Sequence, residues 1–210
     1  VLECHNPVSG LIVENLAVKN NNKTNEFHCM WSSSLTDSVS RGMPDNQSLD
    51  YSVRAQGVND IFNVTTKPLI FDVDNGGSLL HLPFVVKKLE SIGVSAIIME
   101  DKIGEKSNSL FQDQSKAKQD SINNFCKKIR KVKETSITRD FLCISRIESL
   151  ILGKSVQDAL KRAEAYCKAG SDLIMIHSKE NNPKEIFKFA KRFNKLKISV
   201  PLVAVPSTYS

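Results

Sequence analysis

The sequence predicts an α/β protein on a parallel sheet, a (β/α)8 TIM barrel that stops after its seventh strand. Three observations predict it. Short apolar runs of four to six residues alternate with longer amphipathic stretches from one end to the other. The runs are rich in Ile, Val and Leu, the pattern of strands covered on both faces. Nearly every run also ends in charged or hydrogen-bonding side chains, which a barrel gathers at one mouth. A doubly wound open sheet is the alternative, but no GxGxxG follows any run to support its dinucleotide-binding version.

Taken in order, Glu3 closes a first strand and 9–16 forms its helix. A second strand at 27–31 ends in Trp31 and Ser32, and the periodic stretch 49–62 is the next helix. The third strand, 68–73, runs into Asp72 and Asp74 and is followed by a helix over 80–92 that stops at Gly93. The fourth, 96–99, ends in Glu100, Asp101 and Lys102, with a helix at 121–134. The fifth, 141–145, ends in Arg146 and Glu148. Its helix, 156–169, carries Leu160, Ala163, Glu164 and Cys167 at three-and-four spacing, with Ser155 as N-cap and Gly170 at the C-terminal end. The sixth, 173–176, ends in His177, Ser178 and Lys179, and a helix at 184–195 leads to a seventh strand at 201–205. Repeated strand–helix units imply parallel pairing with right-handed crossovers. Residues 1–210 read as a single domain lacking the eighth strand and last helices. The expected open edge is then covered by further chain or by a partner. The start at Val1, in mid-pattern, fits a fragment.

Composition narrows the function classes. A hydrophobic share of 40% is enough for a core and excludes a disordered chain. No apolar run approaches the ~20 residues of a membrane span, the best being interrupted by Arg146 and Glu148. Val1–Gly10 lacks the features of a secretory signal. The five cysteines form no CxxC pair, and Cys29 and Cys143 sit in apolar runs. Reduced, buried thiols and a cytoplasmic location are expected. The net charge of +6 falls mainly on two helix faces, 116–133 and 179–197, where it reads as solvated surface; neither nucleic acid nor membrane is expected as a partner.

The run ends hold the chemistry. Asp72 and Asp74 beside Asn75-Gly76-Gly77, with Glu100 and Asp45, make a set of hard oxygen ligands suited to Mg2+; helix capping or pairing with Lys is the plainer reading of the two aspartates alone, and Glu100 at the adjacent strand end favours the metal. The polar segment 100–109 is long for a strand–helix loop, and Lys106, Asn108 and Ser109 could bind a tetrahedral anion or fold over one. An ordinary solvated loop fits its composition equally well. Arg146, ending an apolar strand, needs an anionic partner, either Glu148 or a ligand. His177 ends its strand as a structural or ligand-binding imidazole, and Trp31 is core or pocket wall.

These motifs together resemble the phosphoenolpyruvate mutase (phosphoenolpyruvate phosphomutase) family of the isocitrate lyase superfamily, over essentially the whole chain. The carriers are Trp31-Ser32-Ser33-Ser34-Leu35, Asp72-Val73-Asp74, Glu100-Asp101-Lys102 with Asn108-Ser109 after five residues, Ser145-Arg146-Ile147-Glu148, Ala159-Leu160-Lys161-Arg162-Ala163, and Ile176-His177-Ser178-Lys179. The resemblance implies reversible conversion of phosphoenolpyruvate to phosphonopyruvate, with Mg2+ held by Asp72 directly and by Asp45, Asp74 and Glu100 through water. It implies Arg146 and His177 on the phosphoryl group, with Asp45, Lys106 and Asn108 completing the catalytic set. Lys106 and Asn108 would lie on a gating loop. Trp31, Ser33, Ser34, Leu35 and Ser109 would line the substrate site, with N–H groups around Ser34 and Leu35 on the pyruvyl part. It also implies a homo-oligomer, dimer or tetramer. Phosphonopyruvate hydrolases look similar but usually lack the Asn of the Asn-Ser pair; a barrel that only binds a phosphorylated acid is a further alternative. The lyases' KKCGH-type cysteine loop is absent. Ser32-Ser33-Ser34 replaces a more Gly-rich stretch, Asn75-Gly76-Gly77-Ser78 replaces Thr-Gly-Tyr-Gly, and Pro7 stands where Gly is common.

Overall fold

A computed structural model describes residues 1–210 apart from 22, 105, 107, 108, 110–113, 115, 207, 208 and 210. The chain begins with β1 (Leu2–Glu3) and α1 (Pro7–Asn15). Asn6 caps α1, accepting from the Ser9 N–H while Ser9 Oγ accepts from the Asn6 N–H, and Pro7 fits the first turn. An exposed hairpin follows, β2 (Ala17–Asn20) and β3 (Lys23–Glu26). Next come β4 (Met30–Ser32), α2 (Ser34–Val39), α3 (Tyr51–Phe62), β5 (Leu69–Asp72), α4 (Leu82–Ser91) and β6 (Ala96–Glu100). A two-residue ladder joins β7 (Lys102–Ile103) to β8 (Lys118–Gln119). The remainder is α5 (Ile122–Thr135), β9 (Leu142–Ile147), α6 (Val156–Ala169), β10 (Leu173–Ile176), α7 (Lys184–Phe193) and β11 (Leu202–Val203).

Seven strands form one parallel sheet in the order β1-β4-β5-β6-β9-β10-β11, so each new strand adds beside the last. This is the expected barrel wall with its seven strands in the expected sequence. Among the described residues β1 pairs only with β4, and β11 only with β10, which leaves the barrel open between them.

Strand alternation divides the core in two. Leu69, Phe71, Ile97, Met99, Cys143 and Ile147 face outward into a large core shared with the helices. Ala96, Ile98, Ile144 and Met175 face inward with Trp31 and Ile70, filling the barrel floor. The same period aims the chemistry. Two residues beyond Ile70, Ile98, Ile144 and Met175 come Asp72, Glu100, Arg146 and His177, on the inner face and one layer nearer the mouth.

Several expectations need correction. The second strand starts at Met30 rather than residue 27, and Cys29 is half-buried although Cys143 is fully buried. The β2–β3 hairpin, α2 and the β7–β8 ladder are additions, all short and mostly without an apolar period. The lysines of 116–133 are not uniformly solvated: Lys128 is buried and donates to the Asn75 carbonyl at 2.7 Å. Among the described residues no helix is long and apolar enough to cross a membrane.

Candidate active site

A cavity of about 750 Å3 opens at the carboxyl ends of the strands. Trp31, Ser33, Ser34, Leu35 and Asp45 line its β4 side; Asp72, Asp74 and Glu100 line its floor. Lys106, Ser109, Arg146 and His177 complete it, so the structure brings together every expected site residue but one. Asn108 lies outside the described residues. The two open edges, Val1–Glu3 and Leu202–Pro206, form the remaining wall.

Backbone conformation presents the acids. Asp74 is held in the left-handed region, φ 52°, and its N–H donates to Asp72 Oδ1 at 2.8 Å. A non-glycine residue there costs roughly 1 kcal/mol, offset by that bond and by the one from the Glu100 N–H to the Asp74 carbonyl at 2.7 Å. Gly76, φ 75°, allows the turn that follows, since a Cβ there would run into Met99 Sδ.

Arg146 is the centre of one electrostatic group. Its Nε donates to Glu148 Oε1 at 2.6 Å, and its Nη2 donates to Ser109 Oγ at 2.9 Å and lies 3.5 Å from Glu100 Oε2. Of the two partners that the sequence allowed for Arg146, Glu148 is therefore present, with Glu100 and Ser109 beside it. Ser109 Oγ donates to Glu148 Oε2 and accepts from Lys102 Nζ, each at 2.6 Å. Burial opposes the Glu148 charge, yet Arg146 and Lys102 hold its carboxyl below the usual range. Burial wins at Glu100, which is pushed up to about 8 against the pull of Arg146. At His177 burial, reinforced by Arg146, lowers the pKa to about 4, so the imidazole is neutral at pH 7.

The carboxylates do not gather as the expected four-acid metal set. Among the described residues no three His, Cys, Asp or Glu side chains come together at coordinating distance. Glu100 is drawn to Arg146 and Lys102, while Lys106 Nζ bridges Asp45 Oδ1, at 2.5 Å, and Asp74 Oδ1. Lys106 Nζ also donates to Ser34 Oγ at 2.6 Å, and that hydroxyl donates to Asp72 Oδ2 at 3.2 Å. Crowded acids in a half-buried mouth repel unless a cation intervenes. Burial works against the Lys106 charge, but Asp74 and Asp72 raise its pKa overall, so it stays an ammonium. The donor set suits a small hard cation, and a cation does sit among these oxygens, in the form of Lys106.

Two supporting clusters were not evident from the sequence. Arg54, 2% exposed, donates from Nε to Asp37 Oδ2 at 2.8 Å and reaches the carbonyls of Asp72 and Ser32, with its guanidinium 4.2 Å from the Phe71 ring centroid. It ties the ends of β4 and β5 to α2 and α3. Its signal was a charge at 54, on the same helix face as the apolar residues 51, 55, 58 and 61. The second is Asp101, fully buried, which accepts from the Glu148 N–H, Gln119 Nε2, Tyr166 Oη and Arg162 Nη1. It fixes the backbone that carries Glu148. Among the described residues, Trp31 Nε1 is a buried donor with no hydrogen-bond partner.

A family model for phosphoenolpyruvate phosphomutase matches residues 1–210. The chain belongs to the phosphoenolpyruvate phosphomutase family. It is 35% identical over 210 residues to a family enzyme, the phosphoenolpyruvate phosphomutase of Tetrahymena pyriformis, covering all of this chain and 66% of that protein. It is also 35% identical over 209 residues to the phosphonopyruvate hydrolase of Variovorax sp. (strain Pal2), covering 99% of this chain and 68% of that one. A solved phosphonopyruvate hydrolase, in complex with oxalate and Mg++, superposes with a TM-score of 0.85 at 34% identity, over 99% of this chain and 67% of its own. The chain thus spans about two thirds of the length of these relatives. The phosphoenolpyruvate phosphomutase family matched here is one of enzymes, and mutase and hydrolase lie at equal identity from this member.

Proposed function

We propose that this chain is the catalytic barrel of a magnesium-dependent phosphoenolpyruvate phosphomutase, interconverting phosphoenolpyruvate and 3-phosphonopyruvate. The observation that carries the reading is the reach of Lys106 and Ser109 into the mouth: Lys106 bonds Asp45 and Asp74, and Ser109 bonds Arg146 and Glu148. The sequence places Asn108, the residue that marks the mutases in the resemblance, between these two. In this reaction the phosphoryl group leaves the enol oxygen and is taken up by the methylene carbon of the same molecule; the C–O–P link breaks, a C–P bond forms, and no proton is gained or lost. A loose phosphoryl transfer of this kind depends on positioning, charge neutralisation and exclusion of water.

Asp72, Asp74, Asp45 and Glu100 would hold Mg2+, as the magnesium-bound hydrolase neighbour supports. When bound, Mg2+ neutralises negative charge developing on the substrate's oxygens. Arg146, held by Glu148 through Nε, offers its Nη2 edge to the phosphoryl oxygens. Neutral His177 can hydrogen-bond the phosphoryl group without adding charge. Trp31 forms the apolar wall against the pyruvyl part, and among the described residues its N–H has no partner.

The test follows phosphonopyruvate with Mg2+ by 31P NMR. A phosphate-ester signal from phosphoenolpyruvate is expected. Inorganic phosphate with pyruvate would instead make the protein a hydrolase, the alternative that its 35% identity to the Variovorax enzyme supplies. The Asn108→Ala variant is expected to lose isomerisation while still releasing phosphate.

A further inference from the structure

The acids of the mouth surround an ammonium from this chain, and this has a consequence for any other cation. Asp45 Oδ1 and Asp74 Oδ1 both bond Lys106 Nζ, and the Lys106 side chain is only 9% exposed. Ser34 Oγ accepts from the same Nζ and passes the connection to Asp72 Oδ2. Lys106 therefore touches two of the four candidate metal ligands directly and a third through one hydroxyl. A Mg2+ held by those oxygens, directly or through its own waters, would need the space that the ammonium fills. A divalent cation and an ammonium at the same oxygens repel, which favours one occupant at a time.

We propose that the Lys106 ammonium and a divalent cation compete for one seat formed by Asp45, Asp74 and Ser34, so that metal entry expels Lys106. Ser34 acts as the clasp: its hydroxyl holds the ammonium in place, a function that a glycine in the same position cannot supply. Expulsion leaves three N–H donors without their acids at the moment the site has gained positive charge. The freed ammonium is then available to an anionic substrate, which sets the order of binding as metal first. The apparent affinity for metal is reduced by the fraction of molecules in which Lys106 occupies the seat. This inference rests on the reading that the mouth binds Mg2+, and the experiment separates the two.

The first measurement uses the unaltered chain. Acetic anhydride labelling of Lys106, followed by mass spectrometry and normalised to exposed Lys161, is compared with and without MgCl2. Labelling of Lys106 should rise with Mg2+; unchanged or reduced labelling on Mg2+ binding overturns the proposal. The second is calorimetric titration of MgCl2 into the unaltered chain, Lys106→Met and Ser34→Gly. Lys106→Met is expected to bind at least about tenfold tighter. Ser34→Gly keeps the charge, loses the clasp and should also tighten binding. Tightening confined to Lys106→Met would indicate only a change of net charge and overturns the competition. Equal affinity in all three overturns it while leaving the magnesium reading intact. Failure of every form to bind Mg2+ overturns both.

Discussion

At the end of β10 the imidazole of His177 is 5% exposed and lies in the field of Arg146. Its pKa is near 6.5 in the unfolded chain and about 4 in the fold. The unfolded state therefore binds more protons between these values, and stability rises with pH across that window. The contribution is complete above about pH 6.5 and is lost as the pH falls toward 4; each tenfold displacement of the proton equilibrium is worth about 1.4 kcal/mol. Urea unfolding from pH 4 to 7 should show this slope, reduced in His177→Asn. An equal slope in the variant would place the acid sensitivity elsewhere. Single residues of this kind were legible because each is a polar group at the end of an apolar run. Their partnerships were less so. Arg146 with Glu148 could be read two residues apart along one strand, but Glu100 reaches Arg146 through strand register and Ser109 reaches it through a loop.

Elements were legible where period and caps agreed. Ser155 accepts from the Asp158 N–H and Gly170 ends α6 at φ 109°, as the spacing required. The β2–β3 hairpin was invisible because all eight of its strand residues are exposed and no apolar alternation marks them. At α3 the helix was clear but its attachment was not. Arg54 packs with Asp37 beneath the site and closes the carbonyl ends of β4 and β5. Arg54→Ala would leave Asp37 as a buried, unpaired charge. The expected cost is about 3–5 kcal/mol, read from urea unfolding. A loss below about 1 kcal/mol would show that the sheet ends hold without the clamp.

Among the described residues, the main sheet of the molecule is parallel and closed on neither side. β6 and β9 have hydrogen-bonded neighbours on both flanks, whereas β1 and β11 have two residues each and one neighbour. Opening should therefore begin at the edges. In native-state hydrogen exchange the amides of Ile97, Cys143 and Ile144 are expected to be the slowest, and those of Leu2, Glu3, Leu202 and Val203 among the fastest. Edge amides as slow as those of β6 would mean that something covers the opening. Since Val1–Glu3 and Leu202–Pro206 also wall the cavity, whatever meets those edges reaches the site as well.

The sequence by itself determined the parallel α/β barrel wall, the strand order and the set of side chains at its mouth. Side chains alternate faces along a strand, so the polar residue that ends a run keeps the phase of the inward residue two before it and faces the barrel mouth. Tertiary structure alone decided how those charges pair. Lys106 sits thirty-two residues beyond Asp74 and sixty-one beyond Asp45, and nothing in local spacing sets which acid it will meet. Pairing depends on distances between strand ends and loops, and on burial that makes each charge seek its opposite. So three of the four acids that spacing assigned to a metal, Asp45, Asp74 and Glu100, are shared between Lys106, Arg146 and Lys102, and Asp72 joins them through Ser34 Oγ.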